Sequence, residues 1–168
     1  MPVDLTETRR AAADAVHRLV DQRVTVATAE SLTGGLVAAT VVEIPGVSAV
    51  FRGGLVVYAT DLKAALAGVP EGLLAERGPV DADVAAALAA GARARCGADW
   101  GVATTGVAGP DPQDGKPVGL VYIAVCGPGH SAVRELKLDG NRDAVRTESV
   151  TRVLQLLSEA LQEAPKPA

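Results

Sequence analysis

The residues Val24–Gly35, VTVATAESLTGG, decide the fold. Val24–Ala29 are small, apolar and β-prone, the pattern of a buried strand. A carboxylate, a hydroxyl, a leucine, a second hydroxyl and two glycines follow. An apolar run, Leu36–Val42, then has the character of a helix. A strand that turns through Ser, Thr and Gly into a helix leaves free N–H groups at the helix start. That end carries partial positive charge and the glycines permit close approach, so an anion or a developing oxyanion fits there. Ser31 stands at the tip of the turn. The residues alone leave two readings open: Ser31 and Thr33 cap the helix, or Ser31 belongs to a site.

Upstream, Asp4–Gln22 reads as a helix, with Leu5, Ala12, Val16, Leu19 and Val20 at helical spacing and Asp4 or Thr6 as its cap. Downstream, Pro45-Gly46 breaks the chain before a second strand, Val50–Tyr58, which Gly53-Gly54 marks for a bulge or a close backbone approach. Thr60 and Asp61 open a short helix carrying Lys63. Glu71–Arg77 reads as a turn or short helix, and Asp81 or Asp83 caps an Ala-rich helix, Val84–Cys96. A third strand, Trp100–Thr105, again ends in hydroxyls and glycine, Thr104–Gly109. After the polar loop Asp111–Lys116, Val118–Cys126 and Ser131–Leu138 flank a Gly-Pro-Gly turn as a hairpin. Arg142–Leu161 is the last helix, with Val145, Val150, Val153, Leu154, Leu157 and Leu161 as its apolar stripe.

This order predicts an α/β fold: one three-layer α/β/α domain over 1–163 with a mixed, mostly parallel central sheet, and a disordered tail over 164–168. Hydrophobic content is 48% but aromatics are 2%, so the core is built from Ala, Val and Leu. Such side chains let helices lie close on a sheet. A net charge of −4 without a basic run argues against nucleic acid as partner. No apolar run is long enough to span a membrane, and MPVDLTETRR lacks a signal-peptide core, which points to the cytoplasm. Cys96 and Cys126 lack metal-binding spacing and read as buried small hydrophobes.

Ligands of open α/β sheets bind beyond the carboxyl ends of the strands. If the Ser31–Gly35 and Thr104–Gly109 turns are adjacent, they make one site. Serine needs a base to become a nucleophile. His17 reads as an exposed helix residue and His130 as a hairpin-tip residue, so neither suits that task. Lys63 is the other option, because burial against apolar neighbours lowers an ammonium's pKa. On the residues alone Lys63 more often reads as a solvated helix residue, and Tyr58 as a strand residue with its ring in the core. Arg142 is either the first turn of a helix or a phosphate ligand. Asp111 and Asp114 lack the further carboxylates that a divalent metal needs.

AESLTGG, GGLVVYATDLKAALAGV, GPV before an acid-capped helix, TGVAGPD, KPVGLVYIAV and DGNRDAVR occur together and in order. This set resembles the CinA C-terminal family from about Asp4 to Leu161. The resemblance implies a stand-alone member without the N-terminal molybdopterin-binding-like domain. It implies hydrolysis of the carboxamide of nicotinamide mononucleotide by a serine, a tyrosine and a lysine, without metal or cofactor. By motif these are Ser31, Tyr58 and Lys63. Glu30, Thr33, Gly34, Gly35, Thr105, Gly106, Gly109 and Arg142 form the expected substrate-binding set, with Thr105–Gly109 and Arg142 as candidates for the 5′-phosphate. The sequence departs from the family pattern at Leu32, where many members have cysteine, and at Ala59-Thr60-Asp61, where Ser-Asn-Glu is usual. A homo-oligomer is also implied. The other functional class left open is a nucleotide-sensing or partner-binding module linked to competence or DNA damage, and a third reading is amide hydrolysis on a related pyridine nucleotide.

Overall fold

The computed structural model describes residues 3–164. The elements follow in the order α1 (Thr6–Gln22), β1 (Val26–Glu30), α2 (Leu36–Val41), β2 (Phe51–Val56), α3 (Thr60–Ala65), α4 (Glu71–Arg77), α5 (Ala82–Cys96), β3 (Trp100–Gly106), β4 (Leu120–Gly127), β5 (His130–Lys137) and α6 (Arg142–Glu163). The five strands form one sheet in the order β2-β1-β3-β4-β5. β1 pairs in parallel with β2 and β3, whereas β4 pairs antiparallel with β3 and β5. Only β4 therefore runs against the others, and the expected three-layer α/β/α arrangement with a mostly parallel sheet is found.

Alternation along β1 explains the layers. Val26 joins the core that α1, α2 and α6 bury on one face, and Ala27 and Ala29 join the core beneath α5 on the other. The α5 layer is built mostly from Ala, because the backbones approach closely there. A Cβ on Gly101 of β3 would collide with the Ala89 carbonyl of α5, and one on Gly91 would collide with the Ala67 carbonyl. The six stripe residues expected on α6 are all buried.

Some local expectations shift. In α1, Ala12, Val16 and Leu19 are buried, but Leu5 precedes the helix and Val20 turns outward, leaving both exposed. Asp4 accepts a hydrogen bond from the Thr6 amide, while the position before the helix is Leu5, which offers no capping oxygen. Cys96 and Cys126 are half-buried free thiols rather than fully buried. The Gly53-Gly54 irregularity is a bulge: Val26 pairs with Phe51 but Ala27 with Gly53, so Arg52 is skipped. Of the tail, Ala164 packs against the core and 165–168 lie outside the described residues. Among the described residues no helix is long and apolar enough to cross a membrane.

The parallel register positions the site. Glu30 is level with Val56 of β2 and Thr104 of β3, so three strands end side by side at one edge of the sheet. The Ser31 amide donates to Thr104 O at 3.0 Å, and the Val57 amide donates to Glu30 O at 2.9 Å. Ser31, Tyr58 and the Thr105–Gly109 turn thus emerge together. His130 lies at the opposite edge, tilted against Trp100 at 5.9 Å between ring centroids, and His17 is exposed on α1.

Candidate active site

The turn after β1 is built to hold Ser31 still. Gly34 and Gly35 adopt φ of +58° and +102°, left-handed values that let the chain reverse into α2 and that strain any residue with a Cβ. Gly34 N–H closes the turn on Ser31 O at 3.0 Å. From the other side Arg146 donates to Leu32 O at 2.9 Å and to Thr33 O at 3.1 Å. With its carbonyls held outward, the turn leaves the amides of Leu32 and Thr33 without a protein acceptor among the described residues.

The start of α2 does not offer itself to a ligand. Glu30 is 1% exposed, and its carboxylate accepts from Val37 N at 2.7 Å, Ala38 N at 3.1 Å and Thr33 Oγ1 at 2.6 Å. Thr33 Oγ1 also meets Thr104 Oγ1 at 2.7 Å. The anion expected at this helix start is therefore the chain's own side chain. It reaches there because alternation along β1 sends Glu30 to the α2 face and Ser31 to the other. Glu30, Thr33, Gly34 and Gly35 shape the turn and do not line the cleft.

On the α5 face, Lys63 is 1% exposed, which resolves the choice left open by its place in a short helix. Its Nζ donates to Ser31 Oγ at 3.0 Å, Val57 O at 2.7 Å and Tyr58 O at 3.2 Å. Burial lowers this ammonium from the ordinary 10.5 to about 8. When neutral, the amine keeps two N–H donors for the two carbonyls, and its lone pair then faces the serine hydroxyl. This is the geometry of a base taking the serine proton.

A cleft of about 250 Å³ opens in front of this pair. Pro79, Val80, Val107 and Ala108 form apolar walls, and Tyr58, Thr105, Gly106, Gly109, Asp111, Gln113 and Arg142 also line it. The Tyr58 ring stands at the rim, 59% exposed, rather than in the core. Thr105 is 1% exposed and its hydroxyl is spent on Pro79 O at 2.6 Å, so it braces the wall. Arg142, placed behind the Asn141 cap of α6, donates to Gly109 O at 2.6 Å and to Tyr58 Oη at 3.3 Å.

Ser31, Tyr58, Lys63, Thr105, Gly106, Gly109 and Arg142 are thus brought together, although they span 112 positions of the sequence from Ser31 to Arg142. Arg146 and Gln113 escaped the reading of the sequence. The signal for Arg146 was its place one helical turn after Arg142, which puts both on one face of α6. For Gln113 no sequence signal exists, because only the fold of its loop carries it to the cleft. Asp111 reaches the cleft but Asp114 does not, and no cluster of metal-binding side chains occurs among the described residues.

Comparison with known proteins agrees with this fold. Two CinA-like proteins, from Frankia casuarinae and Geobacter sulfurreducens, are 50% and 47% identical to the chain, each over 88% of it. The matches cover 34% and 36% of those relatives, so the chain spans about a third of their length. A competence/damage-inducible protein of Agrobacterium tumefaciens superposes with a TM-score of 0.90 at 34% identity, covering 97% of this chain and 100% of that one. A competence-damaged protein (CinA) superfamily structure from Escherichia coli gives a TM-score of 0.87 at 28% identity, with 95% and 94% covered. The CinA C-terminal domain model matches residues 8–161, nearly the whole chain, so the chain belongs to the CinA C-terminal domain family.

Proposed function

We propose that this cleft hydrolyses the carboxamide of nicotinamide mononucleotide to nicotinate mononucleotide and ammonia. The observation that carries the reading is the buried Lys63 Nζ at 3.0 Å from Ser31 Oγ, lowered by burial to about 8. A buried lysine without a carboxylate partner is costly to keep, and a nucleotide-binding module has no use for it.

Neutral Lys63 takes the Ser31 proton as Oγ attacks the amide carbon. The carbonyl oxygen gains the negative charge, and the unengaged amide of Leu32, which lines the cleft, is a donor for it, an effect worth about 3 kcal/mol for a well-placed donor. The proton on Lys63, passed directly or through the Tyr58 hydroxyl, goes to the amide nitrogen as the C–N bond breaks. Ammonia leaves an acyl ester on Ser31. Water, activated by the same lysine, cleaves that ester to the carboxylate and restores the serine. The apolar walls suit the pyridine ring, and Arg142 at the mouth suits the 5′-phosphate. Such a substrate belongs to the cytoplasm.

The test is ammonia release from nicotinamide mononucleotide in chelator-treated buffer, wild type beside Ser31→Ala. Turnover by the wild type and its loss in the variant is the expected outcome. Full activity in Ser31→Ala excludes the serine as nucleophile. A folded wild type that binds the nucleotide without cleaving it makes the domain a sensor instead.

A further inference from the structure

Arg142 sits where two loops of the cleft meet. Its Nη1 grips Gly109 O at 2.6 Å in the β3–β4 loop, and its Nη2 reaches Tyr58 Oη at 3.3 Å in the β2–α3 loop. A guanidinium carries five N–H donors, so three remain for a ligand. Among the described residues Arg142 forms no ion pair, and Asp111 is the one carboxylate that lines the cleft with it.

Tyr58 depends on this arginine for its placement. Most of its ring is in solvent, and Arg142 is the hydrogen-bond partner of its hydroxyl. Because the phenol oxygen accepts from the guanidinium, its own proton is turned away from Arg142 and is free for another acceptor. Through its backbone carbonyl the same residue holds Lys63 Nζ. Tyr58 therefore joins the charged mouth to the reacting end. A single long bond between two exposed side chains is easily broken in water. An anion seated on the remaining donors fixes the guanidinium from a second side, and with it the phenol.

We propose, resting on the amidohydrolase reading, that Arg142 is a positioning residue through which an anionic phosphoryl group on the substrate sets Tyr58 for proton transfer. Phosphate on the substrate then raises turnover and not only affinity. The substrate class is a nucleotide monophosphate amide, and its riboside binds more weakly and also reacts more slowly once bound.

Two measurements test this. The first compares kcat and KM for nicotinamide mononucleotide and nicotinamide riboside in wild type, Arg142→Gln, Arg142→Lys and Tyr58→Phe. In wild type the nucleotide has the higher kcat by roughly tenfold, the scale of one charge-assisted hydrogen bond. That kcat ratio falls to near one in Arg142→Gln and in Tyr58→Phe, while Tyr58→Phe keeps the KM preference for the nucleotide. Arg142→Lys recovers part of the KM preference without the kcat ratio. A wild-type ratio of one, or a ratio that survives in Arg142→Gln or Tyr58→Phe, overturns the proposal. The second measurement follows tyrosine ring signals by NMR during titration with inorganic phosphate. The chain has two tyrosines, so Tyr122 serves as internal control. Tyr58 shifts in wild type and not in Arg142→Gln; a Tyr58 that stays still, or that shifts equally in the variant, overturns the coupling. If wild type hydrolyses neither amide, the assigned activity fails, and the phosphate titration alone decides the role of Arg142.

Discussion

Glu30 and Lys63 are buried to the same degree, each 1% exposed, yet the protein treats the two charges in opposite ways. Glu30 faces two helix amides and a hydroxyl, donors that match a full negative charge. Lys63 faces two carbonyls and a serine hydroxyl, all neutral, with no carboxylate to offset its loss of water. Donors aimed at an anion make a fixed structural charge, part of the frame of the turn. Burial without a counter-charge makes a group that gives up its proton near neutral pH. The strand between them keeps the two apart, because Glu30 and Ser31 are neighbours in sequence and point to opposite faces of the sheet.

The largest expected effect comes from removing the poised charge. Lys63→Met lowers kcat/KM on the amide by about 10³-fold, the scale of a lost general base. Wild-type activity rises with pH through a midpoint at about 8, because the neutral amine is the active form. Stability moves in a related way. The lysine loses its proton at 10.5 when unfolded and at about 8 when folded. Below 8 both states hold the proton, and the native state bears the cost of a desolvated ammonium, about 3 kcal/mol for a shift of this size. Between 8 and 10.5 the native state binds fewer protons than the unfolded chain, so stability rises with pH. Thermal unfolding at pH 7 and pH 9 checks this: wild type gains stability relative to Lys63→Met between the two, on top of a constant cost to the variant for leaving the Val57 and Tyr58 carbonyls without their donor. A stability difference that is the same at both pH values contradicts the assignment of Lys63 as a strained charge.

Removing the framed charge has a different signature. Glu30→Gln places an amide nitrogen where only acceptors fit, against the Val37 and Ala38 amides or the Thr33 hydroxyl. The expected cost is about 2 kcal/mol, a drop in Tm of about 5 °C for a chain of this length. Activity falls through kcat as the turn loosens, and the pH midpoint stays near 8, because burial and not a nearby carboxylate sets Lys63. A midpoint shifted by a whole pH unit would falsify the separation of the two charges.

The contrast also explains what the sequence disclosed. Strand, turn and helix at Val24–Val42 were legible because period, glycines and hydroxyls all agree there. The meeting of Ser31 with the Thr105–Gly109 turn followed from parallel strands ending level. The burial of Lys63 was not legible, since TDLKAALAG on its own suits a solvated helix; only packing against the end of β1 takes the ammonium out of water. Glu30 was misplaced for the complementary reason. A carboxylate before a Ser/Thr/Gly turn looks like a ligand for substrate until the alternation of β1 sends it to the far face. Arg146 was overlooked because its carbonyl contacts reach 113 and 114 positions back along the chain, a distance no local pattern encodes.

The smallest expected effect refines how the framed charge is held. Thr33 Oγ1 donates to Glu30 Oε1 and meets Thr104 Oγ1, so it links the carboxylate to β3. Thr33→Val keeps the shape and deletes the hydroxyl, leaving Glu30 the two α2 amides, which supply the stronger part of its stabilisation. The loss is about 1 kcal/mol, or about 3 °C in Tm, with the pH midpoint again near 8. Activity falls less than in Glu30→Gln, because the α2 amides still anchor the turn. If Thr33→Val instead destabilises as much as Glu30→Gln, the hydroxyl and not the helix start holds the carboxylate. The frame of Ser31 is then tied to β3 more than to α2, and the two charges differ by which strand supports them rather than by which dipole faces them.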